Sequence, residues 1–187
     1  MITRMLRQLL KNQRGFTLIE VLIAVAIGGA IAAVGSMATR QVMTETVRNN
    51  NHEIAVRQVQ NAGRWVTLDT QMAQTVVPDE DADGLPLTLT WEDFAGTNEY
   101  QVVYSLEELE GVLKLKREHY TNIVDESTTP DATTYVAKYI DSGQTSCEFN
   151  DQMLTFTVTA IVGGGSLQEG SETRIYEIVH RATAASS

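Results

Sequence analysis

The chain has 187 residues, 43% hydrophobic and 20% charged, which suits one globular domain with an added apolar segment. Its 14 Lys and Arg stand against 24 Asp and Glu, a net charge of −10 that opposes direct binding to nucleic acid phosphates. Cys147 is the single cysteine, so an intramolecular disulfide is excluded and the fold must stand on its core.

Residues 1–15 form a basic leader in which Arg4, Arg7, Lys11 and Arg14 have no acidic residue among them. Residues 16–38 follow as 23 residues with one ionisable group, Glu20. At about 1.5 Å per residue, a helix of that length covers about 34 Å and crosses a bilayer. The positive-inside bias keeps the leader cytoplasmic and sends the rest outward. Glu20 is the anomaly. A carboxylate in a membrane helix costs about 2.5–3.5 kcal/mol on insertion scales, so it needs a cationic partner or a function. A plain signal anchor requires only basic residues and an apolar run, and leaves Glu20 unexplained. A secretory signal peptide would use Ser36-Met37-Ala38 as its small-x-small cleavage site, at the end of a leader of 38 residues, longer than the usual range of about 15–30.

The stretch Arg14-Gly15-Phe16-Thr17-Leu18-Ile19-Glu20 resembles the class III signal of type IV pilins and type II secretion pseudopilins: a short basic leader, Gly, Phe-Thr-Leu-Ile-Glu, then an apolar helix. The resemblance implies cleavage between Gly15 and Phe16 by a prepilin peptidase, which also N-methylates the new amine of Phe16. It implies that Glu20 meets the positively charged amino terminus of a neighbouring subunit during filament assembly. Implied partners are other pilins or pseudopilins, met through the amino-terminal helix, and the assembly platform of the inner membrane. The sequence departs from many major pilins in having no paired cysteine loop near its carboxyl end, which shifts weight to a minor pilin or pseudopilin. Many pilins also place a proline in the second half of the span, and here none stands between Gly15 and Pro78.

Beyond the span the helical pattern continues. Met43, Val47, Ile54, Val59, Ala62 and Val66 recur at helical spacing, with a second set at Trp65, Leu68, Met72 and Val76. One helix over residues 16–77 is expected, membrane-spanning over 16–38 and ended by Pro78. Asn49-Asn50-Asn51 and Gly63 are its weakest points, where a bend or solvated turn is expected if anywhere. Gly28, Gly29 and Gly35 have two readings, close packing between helices or, as the resemblance allows, local melting on entering a filament.

Residues 78–187 read as an acidic, β-rich extracytoplasmic domain. Residues 16–78 hold four charges of each sign, whereas 79–187 hold 6 basic and 20 acidic residues. Removing the leader leaves 10 basic against 24 acidic, a net charge of −14. Alternation predicts strands over 87–91, 100–106, 112–120, 153–162 and 173–181, with 107–111 as a hairpin loop and 122–133 as loop. Residues 135–140 fit a short helix or a strand. A helix followed by consecutive strands predicts an α+β fold with a long amino-terminal helix laid on an antiparallel sheet, which is also the ladle-like shape that the resemblance implies.

Little in the sequence points to reaction chemistry. Asp79, Asp81 and Asp83 followed by Gly84 match the first half of a calcium loop, with acidic oxygens at positions 1, 3 and 5. Position 12 is Thr90 in place of a bidentate Glu, although Glu92 or Asp93 are near; a solvated acidic turn that stops the helix is the competing reading. No cofactor is otherwise required. His52, His119 and His180 have no metal-ligand spacing, and Cys147 beside Glu148 and Asp151 lacks the setting of a reactive thiolate. No catalytic motif is present, so an enzyme is not expected. The expected function is structural: a subunit inserted in the inner membrane, processed and assembled into a type II secretion pseudopilus or a type IV pilus. Its length and acidic strand-rich domain are similar to J-like minor pseudopilins and W-like minor pilins. A minor pilin for twitching motility or DNA uptake is the runner-up. From another class comes a signal-anchored binding or enzymatic domain facing outward.

Overall fold

A computed structural model describes residues 15–80, 83–123, 128–164 and 168–180. The chain divides into two compact units, Met1–Thr44 and Glu45–Ser187. Helix α1, Leu18–Met72, supplies the described part of the first unit and the amino-terminal element of the second. Eight strands follow: β1 (Thr75–Val77), β2 (Leu87–Glu92), β3 (Glu99–Leu109), β4 (Val112–Thr121), β5 (Ala132–Lys138), β6 (Ser146–Asn150), β7 (Met153–Val162) and β8 (Gly170–Val179). All pairings are antiparallel, in a five-stranded sheet ordered β1-β2-β3-β4-β5 and a three-stranded sheet ordered β6-β7-β8. Helix first and strands after is the expected α+β class, with two sheets in place of one.

The expected helix end at Val77 is corrected to Met72. Ala73 still donates to the carbonyl oxygens of Asp69 and Thr70, but the Gln74 N–H turns to Thr90 O at 2.8 Å. The next residues, Thr75-Val76-Val77, are β-branched and favour a pleated strand; Val76 is buried and its neighbours exposed. Other boundaries move for similar local reasons. Residues 107–109, expected as loop, remain in β3, and the hairpin closes on Glu110-Gly111 with φ of 58° and 72°. Two consecutive positive φ values make the two-residue turn that matches strand twist. Asp151-Gln152, at φ 50° and 67°, does the same between β6 and β7. The ambiguous 135–140 segment is mostly β5, and β6 was not anticipated.

Within the second unit, helix residues Ala55, Val59, Ala62 and Val66, with Ala73 just past the helix end, are buried in one core with Leu87, Leu89, Val102, Tyr104 and Leu115 of the larger sheet and Leu154, Phe156, Val158 and Ile178 of the smaller one. Leu68 and Met72, of the second apolar set, are about half exposed at 47% and 49%. The sheets join at Tyr139-Ile140-Asp141. Ile140 N–H donates to Leu113 O on β4 at 3.1 Å, while Ile161 N–H donates to Tyr139 O at 2.8 Å and Asp141 N–H to Thr159 O at 2.9 Å.

Polar and ring contacts also fix the helix to the sheets. Asp69, buried on the same stripe as Val66 and Ala73, receives both arms of Arg117, Nε to Oδ2 at 2.7 Å and Nη2 to Oδ1 at 3.0 Å. The Tyr104 hydroxyl donates to the same carboxylate, and the Arg117 guanidinium lies 5.0 Å from the centre of the Trp65 ring. Gly63 does not interrupt the helix. It makes room for Tyr176, whose hydroxyl donates to Val59 O at 3.1 Å; a Cβ at Gly63 would stand 2.0 Å from Tyr176 Cζ. The Asn49–Asn51 stretch stays helical as well, because Asn51 Nδ2 donates to Gln168 O at 2.6 Å and His52 Nδ1 sits 3.0 Å from Ser171 O.

Gly63→Ala tests the ring-on-helix contact. Better helix propensity is worth about 1 kcal/mol, while overpacking costs about 1–3 kcal/mol and displacing the Tyr176 hydroxyl about 0.5–1.5 kcal/mol more. A lower melting temperature of the full chain in detergent is the expected result. A raised one would show that the ring moves aside freely.

Alkaline stability is a second expectation. Burial, then the Asp69 carboxylate, raises the Tyr104 phenol above its usual value, and burial, then Asp83, pushes the Cys147 thiol up to about 12. Both groups keep their protons in the folded chain where unfolded Cys and Tyr, at about 8.5 and 10, lose them. Above those values the unfolded state binds fewer protons, so unfolding free energy falls as pH rises. The contribution is whole below about pH 8.5 and fades towards pH 12. Cys147→Ala should flatten the early part of that decline in denaturant titrations; an unchanged slope would remove the thiol from the account.

Candidate processing and assembly site

Gly15 and Phe16 lie before the first helical turn. A Cβ at Gly15 would meet nothing within 4 Å, and Phe16 is 79% exposed, so the bond between them is open to an outside agent among the described residues. Thr17 is the helix cap. Its Oγ1 accepts the Glu20 N–H at 3.3 Å, and its carbonyl accepts Glu20 N–H at 3.0 Å and Val21 N–H at 3.2 Å. Thr-Leu-Ile-Glu thus has the spacing of a capping box, which satisfies donors that a first turn leaves free.

Glu20 sits three residues inside the helix start and is exposed, with no ion pair among the described residues. A carboxylate in the first turn gains about 0.3–1 kcal/mol from the helix dipole at an exposed site. That offsets only a fraction of the roughly 2.5–3.5 kcal/mol insertion cost of an acidic side chain. Something beyond the cap must stabilise the charge if the helix enters lipid.

The helix around it is apolar on every side. An 18-residue window of α1 reaches a mean hydropathy of 2.4, none of it buried within the chain. Leu18, Ile19, Leu22, Val25, Ile31, Val34 and Met37 are all more than 60% exposed, so the fold provides no core for them. Gly28, Gly29 and Gly35 would have nothing within 4 Å of an added Cβ, so their small size serves no contact among the described residues.

The acidic turn after β1 is a separate place. Asp81 lies outside the described residues. Asp83 Oδ1 accepts Leu85 N–H at 3.3 Å and Asp83 O accepts Cys147 N–H at 2.7 Å, which docks the turn on β6. Gly84 has φ 65°, and a Cβ there would stand 2.0 Å from Cys147 O. That close approach gives the glycine a reason independent of metal. Among the described residues no group of three His, Cys, Asp or Glu side chains is placed to hold an ion. The buried Asp69 and Tyr104 and the half-buried Arg117 were missed in the sequence, although Asp69 follows Ala62 and Val66 on one helical stripe and Tyr104 and Arg117 are cross-strand partners.

Residues 10–36 match the family model described as the prokaryotic N-terminal methylation motif. The chain carries the prepilin-type signal of type IV pilins and pseudopilins. The match covers Gly15, Phe16, Thr17 and Glu20 together with the exposed apolar start of α1 as far as residue 36, which is consistent with membrane anchoring. No curated protein and no solved structure matches the chain.

Thr17→Val should remove the side-chain cap of the prepilin-type helix and leave its apolar surface. Loss of a cap costs about 0.5–2 kcal/mol. Amide exchange at Glu20 and Val21 in micelles should then speed up while exchange near Ala30 stays the same; equal protection at the first turn would mean that the threonine hydroxyl does not hold it.

Proposed function

We propose that this chain is a structural subunit of a pilus-like filament, a minor pseudopilin of a type II secretion pseudopilus or a minor pilin. It is inserted in the inner membrane as a single span with its carboxyl-terminal domain outside, cut between Gly15 and Phe16, and N-methylated at Phe16. The observation that carries this reading is the match at residues 10–36 on a helix whose apolar surface has no partner inside the chain. Such a surface is stable in lipid, or in a bundle of similar helices, and nowhere in water. Release of the leader places a new amine four residues from Glu20. On its own subunit or on a neighbour's, that amine is the cation the carboxylate lacks. In a low-dielectric setting the attraction is large enough to guide docking.

A role in twitching motility or DNA uptake belongs to the same assembly class; the acidic residues beyond Pro78 disfavour direct contact with DNA phosphates. An anchored binding or enzymatic domain would have no use for the Phe16 amine or for Glu20, so processing separates the two classes.

Intact mass and amino-terminal sequencing of the protein from cells with prepilin peptidase should show a start at methylated Phe16, and Gly15→Leu should block it. Glu20→Ala should insert at least as well as wild type, still be cut, and enter filaments poorly, as read by pelleting and cross-linking between subunits. A start at Thr39, or wild-type assembly of Glu20→Ala, would overturn the corresponding part of the proposal.

A further inference from the structure

The turn between β2 and β3 holds an aromatic side chain that the fold does not use. Phe94 is fully exposed, more so than any other large apolar side chain among the described residues. The turn beneath it is pinned. Asp93 Oδ1 accepts Thr97 N–H at 2.7 Å and Oδ2 accepts Asn98 Nδ2–H at 3.0 Å; Asp93 N–H donates to Asn98 O, and Gly96 N–H to Asp93 O, both at 3.0 Å. Gly96 makes this possible with φ 63°. Asn122 ties the turn to the end of β4, donating to Asn98 Oδ1 at 2.8 Å and accepting Glu99 N–H at 2.9 Å. A ring held out by so fixed a backbone cannot fold back to cover itself, and little further freedom is lost when something else covers it.

Charge at the same place is uncompensated. Glu92 and Glu99 are direct cross-strand partners and both are exposed. Like charges directly opposite destabilise a sheet, and neither has a cationic partner among the described residues. Residues 88–101, 118–123 and 128–134, which form this end of the larger sheet, contain Glu92, Asp93, Glu99, Glu118 and Asp131 and no Lys or Arg. Among these, Glu118 is paired with Lys116 at 3.3 Å, whereas Glu92, Asp93 and Glu99 around Phe94 have no Lys or Arg partner among the described residues.

We infer that this end of the five-stranded sheet is a docking surface for a protein whose apolar pocket is rimmed by lysine or arginine, with Phe94 as the anchor and Glu92 and Glu99 facing the rim. Two independent features ask for the same partner, an aromatic anchor without cover and a pair of carboxylates without a cation. Aromatic anchors ringed by polar residues are the usual bearers of binding energy at protein interfaces. Anionic lipid and nucleic acid are repelled by the same carboxylates. The inference requires neither processing at Gly15 nor filament assembly.

A photo-reactive residue in place of the exposed Ala95, in the full chain in its own membrane, tests it. The expected product is a protein adduct whose cross-linked peptide carries Lys or Arg beside apolar residues. Its yield should fall about tenfold or more with Phe94→Ser, and fall further as salt is raised. Glu92→Gln with Glu99→Gln relieves the like-charge pair, so melting temperature should hold or rise while the adduct weakens; this variant guards against a loss caused by misfolding. No protein adduct, an adduct unchanged by Phe94→Ser, a peptide without basic residues, or capture of lipid or nucleic acid alone would overturn the inference.

Discussion

One helix face closes the second unit, and its side chains are small for a reason. Ala55, Ala62 and Gly63 alternate with Val59 and Val66, so β8 of the smaller sheet approaches the helix backbone closely. At Gly170 the approach is backbone to backbone, since a Cβ there would stand 2.1 Å from His52 N. At Gly63 it is ring to backbone. Larger residues on this stripe would hold the sheets off and leave voids between them, and protein cores tolerate neither voids nor extra methylenes well.

Asp69 is placed on that same face and changes what holds it. A buried carboxylate is costly by itself, and here two guanidinium hydrogen bonds and the Tyr104 hydroxyl satisfy it. The Trp65 ring covers the outer face of the guanidinium, so the pair is partly shielded from water. Such a pair contributes little net stability compared with an apolar isostere, whereas removing one member leaves a buried charge and costs about 3–5 kcal/mol. The Arg117 side of Asp69 is also a register device. Tyr104 and Arg117 are cross-strand partners, and a one-residue slip of β3 on β4 would carry one of them to the opposite face.

The helix-then-strands order, the long helix and most strands were legible in the sequence because they rest on periodicity alone. The alternation in β2 and β7 names its own buried face, and the structure buries Leu87, Leu89, Leu154, Phe156, Val158 and Val162. What was not legible depends on partners far along the chain. The helix end at Met72 follows from Thr75–Val77 finding β2, not from Pro78. Leu68 and Met72 look inward by composition, yet the stripe chosen by packing runs through Asp69 and Ala73. Gly63 and Asn51 read as weak points because propensity sees only the helix, while Tyr176 and Gln168, which use them, lie more than a hundred residues later. At the candidate site the motif was legible as residue types in order. The Thr17 cap also follows from spacing, since a threonine three residues before a glutamate is a helix-start signal in any setting.

The described part of the first unit obeys a different rule, since its apolar helix has no core and meets its polar groups locally. An uninterrupted helix satisfies its own peptide groups, which is what a membrane span demands. The hydroxyls follow suit where they are described: Thr17 accepts Glu20 N–H, Thr39 donates to Gly35 O at 2.9 Å and Thr44 donates to Arg40 O at 3.1 Å. Glu20 is the exception, the one charged side chain between Phe16 and Thr39 and without an ion pair among the described residues. An apolar helix with a single unpaired carboxylate near its start is electrostatically incomplete by itself. Its complement is a nearby cation, and under the processing proposed above the free amino terminus at Phe16 would supply one about 6 Å away along the helix axis, four residues at about 1.5 Å each.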